Sequence, residues 1–187
     1  IRDLTDSDAD VQQAAQMLVD GFAANWPDAW PTLDSALEEV RECQEEGNIN
    51  RVAVDDSGAI IGWIGGRPEY DGNVWELHPL VVREDQRGKG VGRALVIDFE
   101  DHVRERGGIT IMLGTDDESG MTSLSGVDLY DKLWEHVAGI QNRRGHPYTF
   151  YQRLGYTIVG VIPDANGPGK PDIWMAKRVS SRPSSEI

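Results

Sequence analysis

The most informative segment of the sequence is WELHPLVVREDQRGKGVGRA, residues Trp75–Ala94. It starts as an apolar run typical of a β-strand, passes through a basic, glycine-rich turn, and opens into a helix with an apolar stripe. Gly90 and Gly92 let the backbone approach an anion closely, and the N–H groups of a first helical turn attract phosphate. The stretch therefore predicts a strand, a phosphate-binding turn and a helix in direct succession.

Three glycine-rich phosphate motifs compete for this turn. A P-loop requires Lys and then Ser or Thr after its second glycine, and a dinucleotide fingerprint requires a third glycine; this turn supplies neither. The pattern that fits is Arg/Gln-x-x-Gly-x-Gly/Ala, with Arg87, Gly90 and Gly92 at its fixed positions. Lys89 and Arg93 would add positive charge. The alternative is an ordinary tight turn that caps an amphipathic helix.

The composition narrows the classes of partner. The 187 residues are enough for one domain with a core, and the formal charge of -14 makes nucleic acid a poor partner. That charge suits a small polycation as ligand, although the charge alone is better explained by plain solubility. No apolar run is long enough to span a bilayer, so we expect no membrane partner. Cys43 is the only cysteine, which fits a reducing compartment such as the cytoplasm.

The strand before the turn carries two side chains able to move protons. Glu76 and His78 are two residues apart, so both side chains are expected on one face of the strand. Glu76 is the better candidate for the base because it can also hold a cation, whereas His78 could be a structural histidine. Pro79 cannot donate to a sheet ladder, which predicts a local gap or bulge there. Such a bulge would free nearby N–H groups to bind a ligand.

The order of predicted elements defines the fold class. Periodicity and turn signals predict a strand, two helices, three antiparallel strands, a helix, a strand, two helices and two strands. This is an α+β chain with one mixed sheet. We expect one domain over residues 1–179 and a frayed C-terminal tail over 180–187. The predicted bounds include a second helix from Thr32 to about Glu46, a strand at Ile109–Leu113, a loop at Gly114–Gly126 and a helix at Asp128–Val137.

Several segments together resemble a known family. Arg87–Gly92 after LHPLVV resembles the acetyl-coenzyme A site of the GCN5-related N-acetyltransferase (GNAT) superfamily. The runs RGGITIMLGTDDE (106–118), DLYDKLWEHVAGIQN (128–142), HPYTFYQRLGY (146–156) and KPDIWMAK (170–177) resemble aminoglycoside 6′-N-acetyltransferases of the enterococcal chromosomal type. The resemblance covers most of the chain from Trp75 onward.

The resemblance implies a GNAT fold: a single, mostly antiparallel mixed sheet with splayed central strands, flanked by helices. It implies direct transfer of an acetyl group from acetyl-CoA to the 6′-amine of an aminoglycoside in a ternary complex, and hence antibiotic resistance. It also implies a homodimer. Acetylation of another cationic amine, such as a polyamine or a protein N-terminus, stays open, as does a non-catalytic acyl-CoA-binding regulator.

The resemblance also implies roles for individual residues. Glu76 and His78 would be at the active site, the N–H of Leu80 would polarise the thioester carbonyl, and Tyr151 would be the acid near the CoA sulfur, with Tyr148 and Tyr156 as rivals. The residues expected to contact acetyl-CoA are Leu80, Val81, Val82, Arg87, Gly88, Lys89, Gly90, Val91, Gly92, Arg93, Asn142 and Tyr151. The residues expected to contact the aminoglycoside are Trp26, Glu76, His78, Asp116, Asp117 and Glu118.

Two further chemistries are not expected. Cys43 lies among glutamates of the second predicted helix, and their field disfavours the thiolate that an acetyl-enzyme would need. The carboxylates at residues 116–118 could suggest a metal, but their spacing is not that of a calcium loop. We therefore expect direct transfer with acetyl-CoA as cosubstrate and no metal.

Overall fold

The computed structural model describes residues 1–180, and the elements of this part of the chain form two compact units. The strands follow the order β1-β2-β3-β4-β5-β7-β6 in one seven-stranded sheet. The sheet and the helices confirm the α+β class. Apart from Ser180, the predicted tail at residues 180–187 lies outside the described residues. No helix of the described chain is both long and apolar enough to cross a membrane.

The first unit comprises residues 1–111 with 178–180. Its strands β1 to β4 pair antiparallel, each with the next. Helices α1 and α2 pack on one face, where buried side chains such as Leu18, Val40, Trp63 and Val81 form a core. The bounds are β1 Arg2–Asp3, α1 Asp8–Phe22, α2 Leu33–Cys43, β2 Ile49–Val54, β3 Ile60–Glu69, β4 Val74–Val82 and α3 Val91–Glu105.

The second unit comprises Met112–Lys177. Its strands β6 and β7 pair antiparallel, with Thr157 opposite Ala176. Buried Ile173, Met175 and Leu124 contribute to its apolar interior. The bounds are β5 Thr110–Asp116, which starts in the first unit, α4 Leu133–Ala138, α5 Tyr148–Arg153, β6 Thr157–Ile162 and β7 Asp172–Arg178.

Helix α2 ends earlier than the predicted Glu46. Thr32 and Ser35 form a capping box at its start. At its end, the side-chain amide of Asn48 donates to the carbonyl of Cys43 at 3.2 Å, and the amide of Asn50 bonds to the same carbonyl. These side chains take up a carbonyl that a longer helix would have paired internally, so the helix stops at Cys43.

Two predicted bounds in the second half of the chain are wrong. The helix predicted from Asp128 starts only at Leu133, because Lys132 has a left-handed backbone with φ of 52°. Strand β5 runs on to Asp116 instead of ending at Leu113. A Cβ on Gly114 would lie 2.7 Å from the Asp172 carboxylate, so this glycine permits a close approach within the sheet and does not mark a loop.

Candidate active site

The basic turn joins β4 to α3 as the sequence predicts. Gly88 and Gly90 have φ of 75° and 89°, which glycine adopts without strain. Gly90 is the residue before α3, and no side chain in the described part of the chain caps the N–H groups that follow it. A Cβ at either glycine would meet no atom within 4 Å. The first turn of α3 therefore offers open space and uncapped donors to a phosphate.

The cations of this turn have different roles. The Arg87 guanidinium donates to the carbonyls of Val82 at 3.1 Å and Gly21 at 3.2 Å, so it anchors the turn to β4 and α1. Lys89 donates to Gln86 at 3.3 Å and is exposed, as is Arg93. Val91 and Gly92 are half-buried in the first helical turn. An anion at this turn would thus meet backbone donors and two exposed cations.

Strand β4 is bulged at Pro79, as predicted. Ile64 pairs with Leu80, but the next pair is Gly66 with Leu77, so His78 and Pro79 lie opposite Gly65 alone. A Cβ on Gly65 would lie 2.7 Å from the His78 carbonyl, which explains why a glycine stands opposite the bulge.

The register also orients the N–H of Leu80. The N–H of Arg83 donates to the carbonyl of Ile61 at 3.0 Å. Hydrogen-bonded and non-hydrogen-bonded pairs alternate along an antiparallel ladder. Counting from Arg83 opposite Ile61, Val81 and Trp63 therefore form a hydrogen-bonded pair, whereas Leu80 and Ile64 do not. The N–H of Leu80 is therefore directed away from β3. Val81 is buried and packs in the core beside α1.

Each of the two proton-handling side chains has an ionic partner. Nη2 of Arg67 on β3 lies 2.5 Å from the Glu76 carboxylate, and Nε of the same side chain lies 3.5 Å from that of Glu69. Nε2 of His78 lies 3.4 Å from Oε1 of Glu39 on α2. Because Arg67 already compensates the charge of Glu76, a cationic ligand at Glu76 would have to compete with Arg67.

An acidic cleft of about 380 Å³ lies beside these pairs. It belongs wholly to the first unit, and α2 contributes most of its carboxylates. Lining residues are Glu39, Glu42, Cys43, Glu45, Asn48, Gly66, Arg67, Pro68 and His78. Such a wall of glutamates favours a cationic ligand.

Aromatic side chains of the loop between α1 and α2 adjoin His78. Trp26 packs on Phe22 with ring centroids 5.6 Å apart, and Trp30 packs edge-on against Phe22 at 4.7 Å. The Trp30 ring lies 5.8 Å from that of His78. Trp26 thus belongs to an aromatic cluster that reaches His78 through Trp30.

Cys43 is not suited to covalent catalysis. Burial, followed by the nearby Glu39 carboxylate, raises the pKa of the Cys43 thiol far above its usual range. The thiol donates to Glu39 at 3.4 Å. These facts support the expected direct transfer, because a neutral thiol is a poor nucleophile.

The acidic segment Asp116–Glu118 belongs to the second unit and is internally bonded. Asp117 is fully buried, and its carboxylate accepts from the Met121 and Thr122 N–H groups and from the Thr122 hydroxyl, at 2.5, 2.8 and 2.7 Å. Asp116 bonds to Asn166, while Glu118 is half-buried. The Asp117 carboxylate thus stabilises its own loop through these three hydrogen bonds. Its role toward a substrate stays a prediction.

Asn142 and Tyr151 also lie in the second unit. The Asn142 amide donates to the carbonyl of His146 at 2.8 Å and to Thr149 at 3.0 Å, so it organises the start of α5. Tyr151 is 7% exposed and packs edge-on against Phe150 and Tyr156. Burial raises the pKa of the Tyr151 phenol, which therefore stays a neutral donor at physiological pH. Their predicted roles toward acetyl-CoA stay predictions.

Two residues of the site could not be singled out from the sequence, although the acidic helix as a whole could be expected to border a cationic ligand. Glu39 stands in an acidic helix whose glutamates look alike, and Arg67 stands in a strand with no motif around it. Only their contacts with His78 and Glu76 distinguish them. In the described chain, no group of three His, Cys, Asp or Glu side chains is arranged to hold a metal ion.

The basic turn, the bulged strand and the α+β sheet define a class of protein. Residues 13–133 match the model of the acetyltransferase (GNAT) family, so the chain belongs to that family. The resemblance of the sequence to this superfamily is confirmed. The protein is an acetyltransferase that uses acetyl-CoA as its donor, and the open first turn of α3 fits the phosphates of that cosubstrate.

Three solved structures of aminoglycoside acetyltransferases are similar to this chain over nearly its whole length. An aminoglycoside 6′-N-acetyltransferase complexed with coenzyme A is 46% identical over 95% of each chain, with a TM-score of 0.87. The aminoglycoside 6′-N-acetyltransferase from Enterococcus faecium is 45% identical over 93% of each chain, with a TM-score of 0.83. A type Ii aminoglycoside 6′-acetyltransferase is 38% identical over 96% of this chain and 98% of its own, with a TM-score of 0.68. No curated protein matches the sequence.

Proposed function

We propose that this acetyltransferase transfers the acetyl group of acetyl-CoA to the 6′-amino group of aminoglycosides and thereby confers resistance to them. The observation that carries the proposal is the 45–46% identity, over nearly the whole of each chain, with two aminoglycoside 6′-N-acetyltransferases. The acidic cleft beside Glu76 and His78 supports a polycationic substrate independently, because its three glutamates suit several ammonium groups.

We propose direct attack in a ternary complex. Acetyl-CoA supplies a thioester carbonyl; the amine nitrogen bonds to the carbonyl carbon while the C–S bond breaks and the sulfur leaves as thiolate. Glu76 or His78 takes the proton that the substrate ammonium loses, directly or through water. The N–H of Leu80, directed away from β3, hydrogen-bonds the carbonyl oxygen. Tyr151, kept neutral by burial, protonates the leaving sulfur and regains a proton from water. The second proton that the nitrogen loses as the amide forms passes to water or to whichever of Glu76 and His78 has not taken the first.

We propose that the basic turn and the bulge position the cosubstrate. The uncapped N–H groups after Gly90, with Lys89 and Arg93, would hold its phosphates. The backbone of Leu80 to Val82 would hold its pantetheine arm. Among the predicted drug ligands, Trp26 and the acidic segment Asp116–Glu118 would line the aminoglycoside site.

We further propose a single acetyltransferase domain over residues 1–179 that acts as a homodimer in the cytoplasm. The dimer rests on the family resemblance, and the compartment on the single cysteine, Cys43. Light scattering after size-exclusion chromatography would test the dimer, for which we expect twice the 20.7 kDa chain mass.

A substrate panel tests the function. Purified protein with acetyl-CoA would be assayed for thiol release with kanamycin-type drugs, polyamines and basic peptides. We expect release with drugs that carry a 6′-amine and none with matched drugs that carry a 6′-hydroxyl. Turnover of polyamines or peptides but not of drugs would contradict the proposal and favour another cationic amine.

A substitution tests the base. Glu76→Gln removes the carboxylate that can accept the amine proton, so we expect kcat to fall by about 100-fold. Glu69→Gln is the matched control, because Glu69 also contacts Arg67 but is not assigned to the proton transfer. Equal rates for the two variants would remove Glu76 from the mechanism.

A further inference from the structure

The His78 ring is held on two sides by residues outside β4. Nε2 lies 3.4 Å from Oε1 of Glu39, and the Trp30 ring lies at a centroid distance of 5.8 Å, tilted by 41°. Glu39 lies on α2, whose start is set by the Thr32 capping box. The imidazole therefore has one nitrogen against a carboxylate and one face beside an indole.

Glu39 is itself held by several donors. Its Oε2 accepts from the Trp30 indole N–H at 3.3 Å, and its Oε1 accepts from the Cys43 thiol at 3.4 Å. The bond from His78, together with these two, lowers the pKa of the Glu39 carboxyl. Glu39 is thus an ionised acceptor with a defined place, and not one more mobile glutamate on a solvated face.

An ionised carboxylate beside one ring nitrogen determines the tautomer of a neutral histidine. A carboxylate can only accept, so Nε2 must carry the hydrogen, and Nδ1 is then the ring's remaining acceptor. The other ionisable side chains that line the cleft with His78 are Glu42 and Cys43 from α2, Glu45 just after α2, and Arg67 from β3. Of the cleft carboxylates, Glu39 is the one whose contact with the ring defines its orientation.

We propose that Glu39 is a positioning residue for the acetyl transfer: it holds His78 as the Nε2–H tautomer, so that Nδ1 takes one of the two protons that the amine nitrogen loses, the other going to Glu76. The imidazolium that forms is stabilised by the Glu39 carboxylate until Nδ1 returns the proton to water. The role in transfer rests on the proposed function, whereas the tautomer is a property of the free protein.

The first experiment measures the tautomer without any substrate. The ¹⁵N shifts of the His78 ring are recorded by NMR in the wild type, in Glu39→Gln and in the matched control Glu42→Gln, which changes a neighbouring carboxylate of the same cleft. We expect Nε2–H in the wild type and in Glu42→Gln. Glu39→Gln can donate its amide to the ring and should shift the population toward Nδ1–H. An unchanged tautomer in Glu39→Gln overturns the proposal.

The second experiment is a double-mutant cycle on the acetylation rate. Glu39→Gln should lower kcat about tenfold with the KM for acetyl-CoA unchanged, and Glu39→Asp should restore part of the loss. Because Glu39 acts through His78, adding Glu39→Gln to His78→Asn should slow that enzyme no further. Additive losses overturn the proposal, and so does a His78→Asn enzyme as fast as the wild type.

The two readouts separate failure of this inference from failure of the proposed function. If no aminoglycoside is acetylated, the proposed function fails, and the cycle is run with whichever amine is turned over. If drugs are acetylated but the tautomer does not respond to Glu39→Gln, only the positioning role fails.

Discussion

The basic turn at residues 87–93 and the acidic loop at residues 117–126 are both glycine-containing segments that follow a strand. Both contain residues that are predicted to bind a ligand, and in the acidic loop these are Asp117 and Glu118. The bonding of the two segments differs. In the basic turn, the donors after Gly90 have no side-chain cap, and Lys89 and Arg93 are exposed. In the acidic loop, Asp117 is buried and accepts three hydrogen bonds from its own loop.

The comparison indicates that a charged or polar group of a loop is available to a ligand only when it has not already formed hydrogen bonds within its own segment. The turn leaves donors open because glycines with positive φ turn the chain without a side chain that could cap the helix. The loop has no regular structure, so its backbone N–H groups need acceptors, and the Asp117 carboxylate supplies them. Substitution of Asp117 in the acidic loop should therefore lower the free energy of unfolding, whereas substitutions in the basic turn should weaken the binding of acetyl-CoA.

The largest expected effect is on folding, in the acidic loop. Asp117→Ala leaves three buried donors without their acceptor and should lower the free energy of unfolding by roughly 3 kcal/mol, as measured by urea denaturation. Glu118→Ala, at a half-buried neighbour, is the control and should change it by less than about 0.5 kcal/mol. Unchanged stability with a raised KM for the drug would instead make Asp117 a substrate ligand and would break the comparison.

The next effect is on binding, in the basic turn. Gly90→Val puts a branched side chain at a φ of 89° and shifts the N–H groups of the first helical turn, so the KM for acetyl-CoA should rise about tenfold. Gly58→Val is matched, because Gly58 has a φ of 86° and equally open surroundings in another turn. If both variants raise the KM alike, the effect is general backbone strain and not loss of a phosphate site.

A third prediction concerns pH and the acidic loop. Burial lowers the pKa of His146, whose ring contacts the Asp116 carbonyl at 3.1 Å. As pH falls, the histidine of the unfolded chain therefore binds its proton at a higher pH than the buried His146 of the folded chain. The free energy of unfolding should accordingly decrease below about pH 6.5, the usual histidine pKa. His146→Asn should be less stable at neutral pH but lose this slope. His136→Asn, in α4, is the control that should keep it, and a slope retained in His146→Asn would assign it elsewhere.

The smallest expected effect is on kcat, and it concerns the proposed acid of the second unit, Tyr151. Tyr151→Phe removes the proposed acid, but a thiolate leaves readily, so kcat should fall only about threefold, measured at saturating substrates. Tyr148→Phe is the comparison, because Tyr148 is also buried on α5. A larger loss in Tyr148→Phe would move the acid role to that residue.

The succession of elements could be predicted from local patterns, whereas several ends could not. The strand, turn and helix around Trp75–Ala94 have the predicted character because periodicity and glycine placement act within a few residues. The end of α2 depends on the amides of Asn48 and Asn50, and the length of β5 depends on the approach of Asp172 to Gly114. The approach of Asp172 to Gly114 joins residues far apart in the sequence, and the amides of Asn48 and Asn50 reach back five and seven residues to the carbonyl of Cys43. Neither contact is part of the apolar periodicity from which the elements were predicted.

The acetyltransferase class could be inferred from the sequence through its resemblance to the GNAT superfamily, because the spacing of Arg87, Gly90 and Gly92 that carries this resemblance is local. Pro79 likewise predicted a gap in the sheet, because a proline has no N–H to donate. The sequence also placed Glu76 and His78 on one strand. Their partners became visible only in the folded chain: Arg67 from β3 lies beside Glu76, and Glu39 from α2 lies beside His78. Charge partners are chosen by packing between elements, and that is why one glutamate of an acidic helix differs from its neighbours.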